Sequence, residues 1–331
     1  MYISSSENWF RSLSRMNSTH VFTATISWLI LIVSVVGNVA LIIALKHHFR
    51  RSSRLYICLM FNLAATDIVF VVSSIPFTFV EKLHAPQFPF GAALCKLLMP
   101  FQTTAAMTAI FTVVTLSCQR YFMIVRPTEE PQEGHNLTLF LTVFSLWFLP
   151  IVLAAIPLGI ALKYQNERCL ESWPDVFKRC FTVYLTVIQY IGPLAVITWC
   201  NGRAVVELKR HDRYRENCAI INDVILERHN NVVRMLICIV VVFAVFWFPG
   251  QLAWIAVTFS DGGEKWYRIL EVSELFVFAN SALNPLIFFV YNGEYSFGKL
   301  GYLLRFKQKS SHSTRYRVRT GSGTADILSA V

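Results

Sequence analysis

Long runs free of Asp, Glu, Lys and Arg dominate the chain. Six of them cover Val21–Leu45, Leu97–Gln119, Asn136–Leu162, Cys180–Gly202, Met235–Ser260 and Leu275–Gly293. A seventh, Leu55–Val80, carries one charge, Asp67. All are close to or above the ~20 residues a helix needs to cross the hydrocarbon core of a bilayer. The pattern predicts an all-α membrane protein, a seven-transmembrane helix bundle. The connections are too short for a separate soluble domain. Residues 1–20 form an N-terminal segment, 21–305 the membrane bundle with a short surface helix, and 306–331 a polar tail. That surface helix is expected over Asn292–Leu304, amphipathic through Tyr295, Phe297, Leu300, Leu303 and Leu304.

Composition agrees with burial in lipid. Of 331 residues 55% are hydrophobic and 15% charged, against about 25% charged in soluble domains, which excludes a soluble enzyme. Lys and Arg number 30 against 20 acids, a net charge of +10. The distribution of these cations matters more than their sum. Alternate connecting segments hold 10 and 20 of them, the richer set including the segment from Arg203 to Arg234 and the tail. The positive-inside bias puts the richer set in the cytoplasm, so the N-terminus is expected outside and the tail inside. The basic balance is an orientation signal and implies no nucleic-acid partner. Asn17-Ser18-Thr19 is then a glycosylation sequon on the outer side, while Asn136-Leu137-Thr138 faces the cytoplasm and stays bare. Residues 1–20 lack the apolar core of a signal peptide, and the first span is expected to direct insertion.

Of eight cysteines, only Cys95, Cys169 and Cys180 fall outside the spans on the outer side. A bridge from Cys95 to Cys169 would pin the loop after the fourth span across the mouth of the bundle; three free thiols are the alternative. No Cys or His cluster has metal-ligand spacing. Asp67 is the one ionisable residue deep in a span, and a single buried acid supports neither a proton relay nor paired acid–base chemistry. Asn38, Asn280, Ser281 and Asn284 are its expected neighbours, in a cluster that would hold a sodium ion or simply bond to itself. Pro76, Pro100, Pro150, Pro157, Pro193, Pro249 and Pro285 punctuate the spans and predict kinks. Trp247 sits two residues before Pro249.

Taken in order, Gly37-Asn38-Val39, Asn62-Leu63-Ala64-Ala65-Thr66-Asp67, Cys95, Arg120-Tyr121, Trp147, Cys169, Pro193, Phe243 with Trp247-x-Pro249, and Asn284-Pro285 followed by Asn292 resemble the rhodopsin-like G-protein-coupled receptors over residues 20–305. Within that family Ile75-Pro76-Phe77-Thr78-Phe79, Phe90-Gly91, Gln189-Tyr190 and above all Cys169-Leu170-Glu171-Ser172-Trp173-Pro174 are similar to the neuropeptide Y, neuropeptide FF and RFamide-type peptide receptors. The resemblance implies an extracellular neuropeptide as ligand, probed by Gln102 and Gln189 at its amidated end. Thr78, Trp247, Gln251 and Trp254 would line the cavity, and Glu171, Asp175, Asp261, Glu271 and Glu274 would attract a basic peptide. Gln102 stands where amine receptors carry an acid, and Phe278 where opsins carry the retinal lysine, so neither an amine nor light is expected. Thr258 replaces an acid that several relatives use to bind arginine.

The resemblance also implies a switch at the cytoplasmic end built from Gln119, Arg120, Tyr121, Trp247, Pro249, Asn284, Pro285 and Phe288. Here the chain departs from its relatives. Gln119 replaces an acid, keeping a hydrogen bond and losing the charge, and His229 replaces a second acid; both changes predict raised basal activity. Asn201 and Phe288 replace tyrosines that hold the open state, which predicts the opposite. Ala109 replaces a serine near Asp67. The implied partners are a heterotrimeric G protein, membrane lipid, and, through Ser310, Ser311, Ser313, Thr314, Thr320, Ser322 and Thr324, receptor kinases and arrestin. The expected location is the plasma membrane, with multiple passes. A constitutively active or non-coupling receptor-like protein is the alternative. A transporter or channel is less favoured, since paired intramembrane charges and inverted repeats are not evident.

Overall fold

The computed structural model of the chain describes residues 18–47, 53–125, 136–217, 223–260 and 264–291. Asn17, Arg126, Asp261, the expected surface helix at 292–304 and the tail lie outside the described residues, as does the side chain of His229. Seven helices are long and apolar enough to cross a membrane: α1 Val21–Lys46, α2 Arg54–His84, α3 Gly91–Val125, α4 Asn136–Ala161, α5 Asp175–Arg210, α6 Asn230–Phe259 and α7 Lys265–Tyr291. Several outrun the apolar stretches that predicted them. α2 continues through Glu81 and Lys82, and α5 starts at Asp175 rather than Cys180. Hydropathy reports the thickness of the hydrocarbon layer, whereas helical hydrogen bonding continues beyond it into the interface.

The helices close a ring in which α1 packs on α2 and α7, and α7 on α6, while α3 packs on α2, α4 and α5. Leu41, Leu63, Leu116, Met235, Leu236 and Phe288 lie in the main core. Phe140, Phe144, Phe148 and Ile160 of α4 point outward and are exposed, which suits a surface solvated by lipid.

Proline accounts for much of the irregularity. A proline deprives the carbonyl four residues earlier of its helical donor, and in a membrane another group must supply one. For Pro157 that carbonyl is Leu153, and the Tyr184 hydroxyl of α5 donates to it at 3.3 Å. For Pro285 it is Ser281, and Asn38 Nδ2 of α1 donates to it at 3.1 Å. Gly37 makes that approach possible: a Cβ there would meet Pro285 Cγ at 2.8 Å. Widened π-type turns occur at Ile151–Ala155, just after Pro150, and at Val187–Ile191, just before Pro193.

At one end of the bundle lies a two-stranded antiparallel hairpin, β1 Leu162–Gln165 with β2 Arg168–Glu171. Its two turn residues, Asn166 and Glu167, have φ of 50° and 58°, the left-handed pair that a tight hairpin turn demands. The sequence reading had not anticipated these strands.

Candidate ligand cavity and conformational switch

Cys95, at the start of α3, is joined to Cys169 of β2, with Cα atoms 5.6 Å apart. Three further contacts seat the hairpin: Phe88 N–H on the Glu167 carbonyl at 2.7 Å, Gln87 Nε2 on Glu167 Oε2 at 3.0 Å, and Ser172 N–H on the Ala161 carbonyl at 2.9 Å. Phe88, Leu98 and Leu162 pack around the bridge. Of the three outer cysteines, Cys180 is free and exposed.

Below the hairpin end, a narrow cavity of about 30 Å³ opens between α1, α2 and α7. Thr78 and Glu274 line it together, as expected, beside Thr23, Ser27 and Trp28. Lys82 was missed as a site residue. Its Nζ lies 3.0 Å from Glu274 and 3.4 Å from Glu271. Glu274 is thus already engaged by a cation, and two carboxylates against one ammonium leave the cluster one negative charge. Sequence spacing carries no signal of this pairing, because α2 and α7 meet only in the fold.

The other expected ligand residues are distributed differently. Gln102 Nε2 donates to the Ser73 carbonyl at 2.7 Å, in the turn before Pro76, so its donor braces α2 and its oxygen is what remains for a ligand. Gln189 is half-buried on the widened turn of α5. Trp254 donates its indole N–H to Thr182 Oγ1 at 3.3 Å, and Thr182 also meets Thr258 at 3.4 Å. That indole ties α6 to α5. Gln251 is half-buried on α6, and Glu171 is exposed on β2, paired in register with Leu162.

Trp247 lies deeper and lines a second cavity, of about 20 Å³, with Asp67, Asn280, Ser281 and Asn284. Asp67 is only 1% exposed and accepts a 2.8 Å hydrogen bond from Asn284 Nδ2. Asn38, bonded to Ser34 and to the Ser281 carbonyl, completes the cluster. The expected neighbours of Asp67 therefore meet. The cavity has room for one water-sized guest. Asn280 Oδ1 and Asn284 Oδ1 are buried without hydrogen-bond partners, and together with the Asp67 carboxylate they make an oxygen set that fits a hard cation. Ala109 lines the same space and contributes no oxygen.

Trp247 leans on Phe243 at 5.7 Å, and Phe243 on Tyr190 at 5.7 Å. Tyr190 in turn donates to the Ala244 carbonyl at 2.8 Å. Aromatic contact thus runs from the Asp67 cavity to α5.

At the far end of α3, Gln119 does not serve Arg120. Its Nε2 donates to Ser53 Oγ at 3.0 Å, and Ser53 is the residue that caps α2 through Tyr56 N–H. The shorter reach of the preceding residue's amide to the α2 cap explains the departure. Arg120 is 7% exposed and Tyr56 5%, and the guanidinium carbon lies 4.2 Å above the Tyr56 ring centroid. Tyr121 packs on Trp199 at 4.9 Å. Phe288 is buried in the main core. Asn201 is buried as well, with both amide atoms unpartnered.

Among the described residues, no group of three or more His, Cys, Asp or Glu is placed to hold a metal ion. Polar groups at the hairpin end, a buried acid at mid-depth and a buried arginine at the far end share the same few helices, which is the build of a membrane receptor that relays a state along its length. The family model described as 7 transmembrane receptor (rhodopsin family) matches residues 37–288, and the chain belongs to that family. Its members are signalling receptors of the plasma membrane and not enzymes. The mouse neuropeptide Y receptor type 6 is 28% identical over 291 residues, covering 78% of this chain and 74% of that receptor. The rat neuropeptide FF receptor 2 is 24% identical over 314 residues, 86% and 73% of the two chains. The freshwater-form rhodopsin of Anguilla anguilla is 25% identical over 266 residues, 78% and 74%.

Proposed function

We propose that the chain is a receptor for an extracellular, C-terminally amidated neuropeptide, and that it transmits binding to a heterotrimeric G protein by opening of the Arg120 end. In this reading the hairpin end and the N-terminus face outward, and the tail lies in the cytoplasm. The observation that carries the proposal is the opposition of two sites along α3. A disulfide-held hairpin lies beside an acidic cavity at one end, and a buried, ring-held arginine sits at the other. The residual negative charge around Glu271 and Glu274 suits a basic peptide, and the Gln102 oxygen suits an amide donor at its terminus.

Identity does not separate peptide receptors from rhodopsins here, but Phe278 does. It is buried against Phe70 at 5.8 Å and offers no amine for a retinal linkage. Asp67, Asn280, Ser281 and Asn284 would hold a sodium ion, whose charge would favour the state in which they stay together. Receptor kinases and arrestin would act on the Ser/Thr-rich tail. A second reading, a receptor-like chain that binds without coupling, is favoured by Asn201 and Phe288. Neither offers the hydroxyl that relatives use to hold the open state.

The test is G-protein dissociation and second-messenger signal in cells expressing the full chain, without ligand and against amidated peptides and their free-acid forms, beside an Arg120→Ala variant. An amide-dependent response that Arg120→Ala abolishes is expected. Binding of a labelled peptide without any G-protein signal would select the non-coupling reading.

A further inference from the structure

A surface groove of about 540 Å³ lies between α6 and α7, within the roughly 300–1,000 Å³ range of small-molecule sites. Ile269, Val272 and Phe276 of α7 and Pro249 of α6 form its apolar walls, and Lys265 and Arg268 stand at its end. The α7 residues recur at three- and four-residue intervals, so they share one helix face. That face points out of the bundle, with Val272 43% and Phe276 41% exposed.

Three features define what fits. The groove runs along α7 from Lys265 to Phe276, about 16 Å at 1.5 Å per residue, which is about half of a ~30 Å hydrocarbon core and so the depth of one leaflet. Its floor offers no donor: the Ser273 hydroxyl is turned back onto the Leu270 carbonyl at 2.7 Å. Charge is segregated, because both cations line the groove without any acid, while Glu271 and Glu274 face the other way and hold Lys82. Trp266 lies next to Lys265, its ring 5.9 Å from Nζ, in the manner of an interfacial anchor.

We propose that this groove binds an anionic membrane lipid, one acyl chain lying along Val272 and Phe276 and the headgroup phosphate meeting Lys265 and Arg268. The site is separate from the acidic cavity and does not depend on the peptide reading or on which way the chain faces.

The test uses the full-length protein in phosphatidylcholine nanodiscs carrying a trace of photoactivatable phosphatidic acid or photoactivatable phosphatidylcholine, with cross-linked residues mapped by mass spectrometry. Nanodiscs present the probe to both leaflets. Each basic residue near an anionic headgroup is worth about fivefold, so labelling of the Pro249–Val272–Phe276 region by phosphatidic acid should exceed that by phosphatidylcholine by about tenfold or more. Lys265→Gln with Arg268→Gln should reduce the ratio to about one without removing chain contact. Val272→Trp, which fills the groove, should remove labelling by both probes there, while labelling on α4 around Phe144 is unchanged. Equal labelling by the two probes in the unmodified protein overturns the proposal. So does a preference that survives the double charge variant, or labelling that survives Val272→Trp.

Discussion

Removing the Tyr56 ring should free Arg120. Both side chains are almost fully buried, and the guanidinium carbon sits 4.2 Å over the ring centroid. A desolvated cation–π contact of this kind is worth about 2 kcal/mol, against ~0.5–1 when exposed. If the ring-held arginine marks the non-signalling state, Tyr56→Leu removes that amount from it alone. A receptor that signals from 1% of its population without ligand would then signal from roughly a quarter, because ~1.4 kcal/mol is a factor of ten in a two-state equilibrium. Tyr56→Phe keeps the ring and should leave basal signalling within about twofold. The assay is ligand-independent G-protein dissociation, normalised to surface expression, for the two variants beside the unmodified chain and Arg120→Ala. Equal basal signals from Tyr56→Leu and Tyr56→Phe would refute the reasoning, since the hydroxyl or the local packing would then be responsible instead of the π face.

Three further expectations follow from the geometry. Gly37→Ala drives a methyl against Pro285 Cγ at 2.8 Å and should destabilise by about 1–3 kcal/mol, as overpacking does; Gly202→Ala, with nothing within 4 Å of the added carbon, should leave the melting temperature of the purified protein in place. Cys169→Ser opens a cross-link spanning 74 residues, worth about 4 kcal/mol by loop-closure entropy, and should lower both thermal stability and saturable peptide binding; unchanged binding would dismiss the hairpin as part of the ligand site. Lys82→Ala leaves Glu271 and Glu274 without their cation, and should tighten a basic peptide severalfold with a steeper dependence on salt, read by competition binding at two ionic strengths.

The spans and the polar cluster were legible because lipid enforces them. A charge-free run and a lone Asp67 stand out against an apolar background wherever the chain folds. The disulfide was half legible, through the outer position of three cysteines, and its pairing needed the meeting of β2 with α3. What stayed hidden depends on which backbone groups lose their partners. Asn38 reads as a polar residue seeking Asp67, yet its amide serves the Ser281 carbonyl vacated by Pro285. Gln119 reads as a weakened partner for Arg120, yet it reaches the cap of α2. Trp254 reads as a cavity wall and is tied to Thr182 instead. The hairpin is hidden for another reason, since four-residue polar strands lack any alternation long enough to distinguish them from a loop.

The fastenings of α3 amount to a mechanical statement. It is welded to the hairpin at Cys95, stitched to α2 by Asn62 on Thr112 at 2.7 Å and to α4 by Thr108 on the Leu146 carbonyl at 3.1 Å, and latched to the start of α2 by Gln119. A rod fixed at four heights serves as the stator of a machine. Whatever turns in this molecule turns against it, and a signal carried from the hairpin to the opposite face is measured as displacement relative to a helix that stays in its seat.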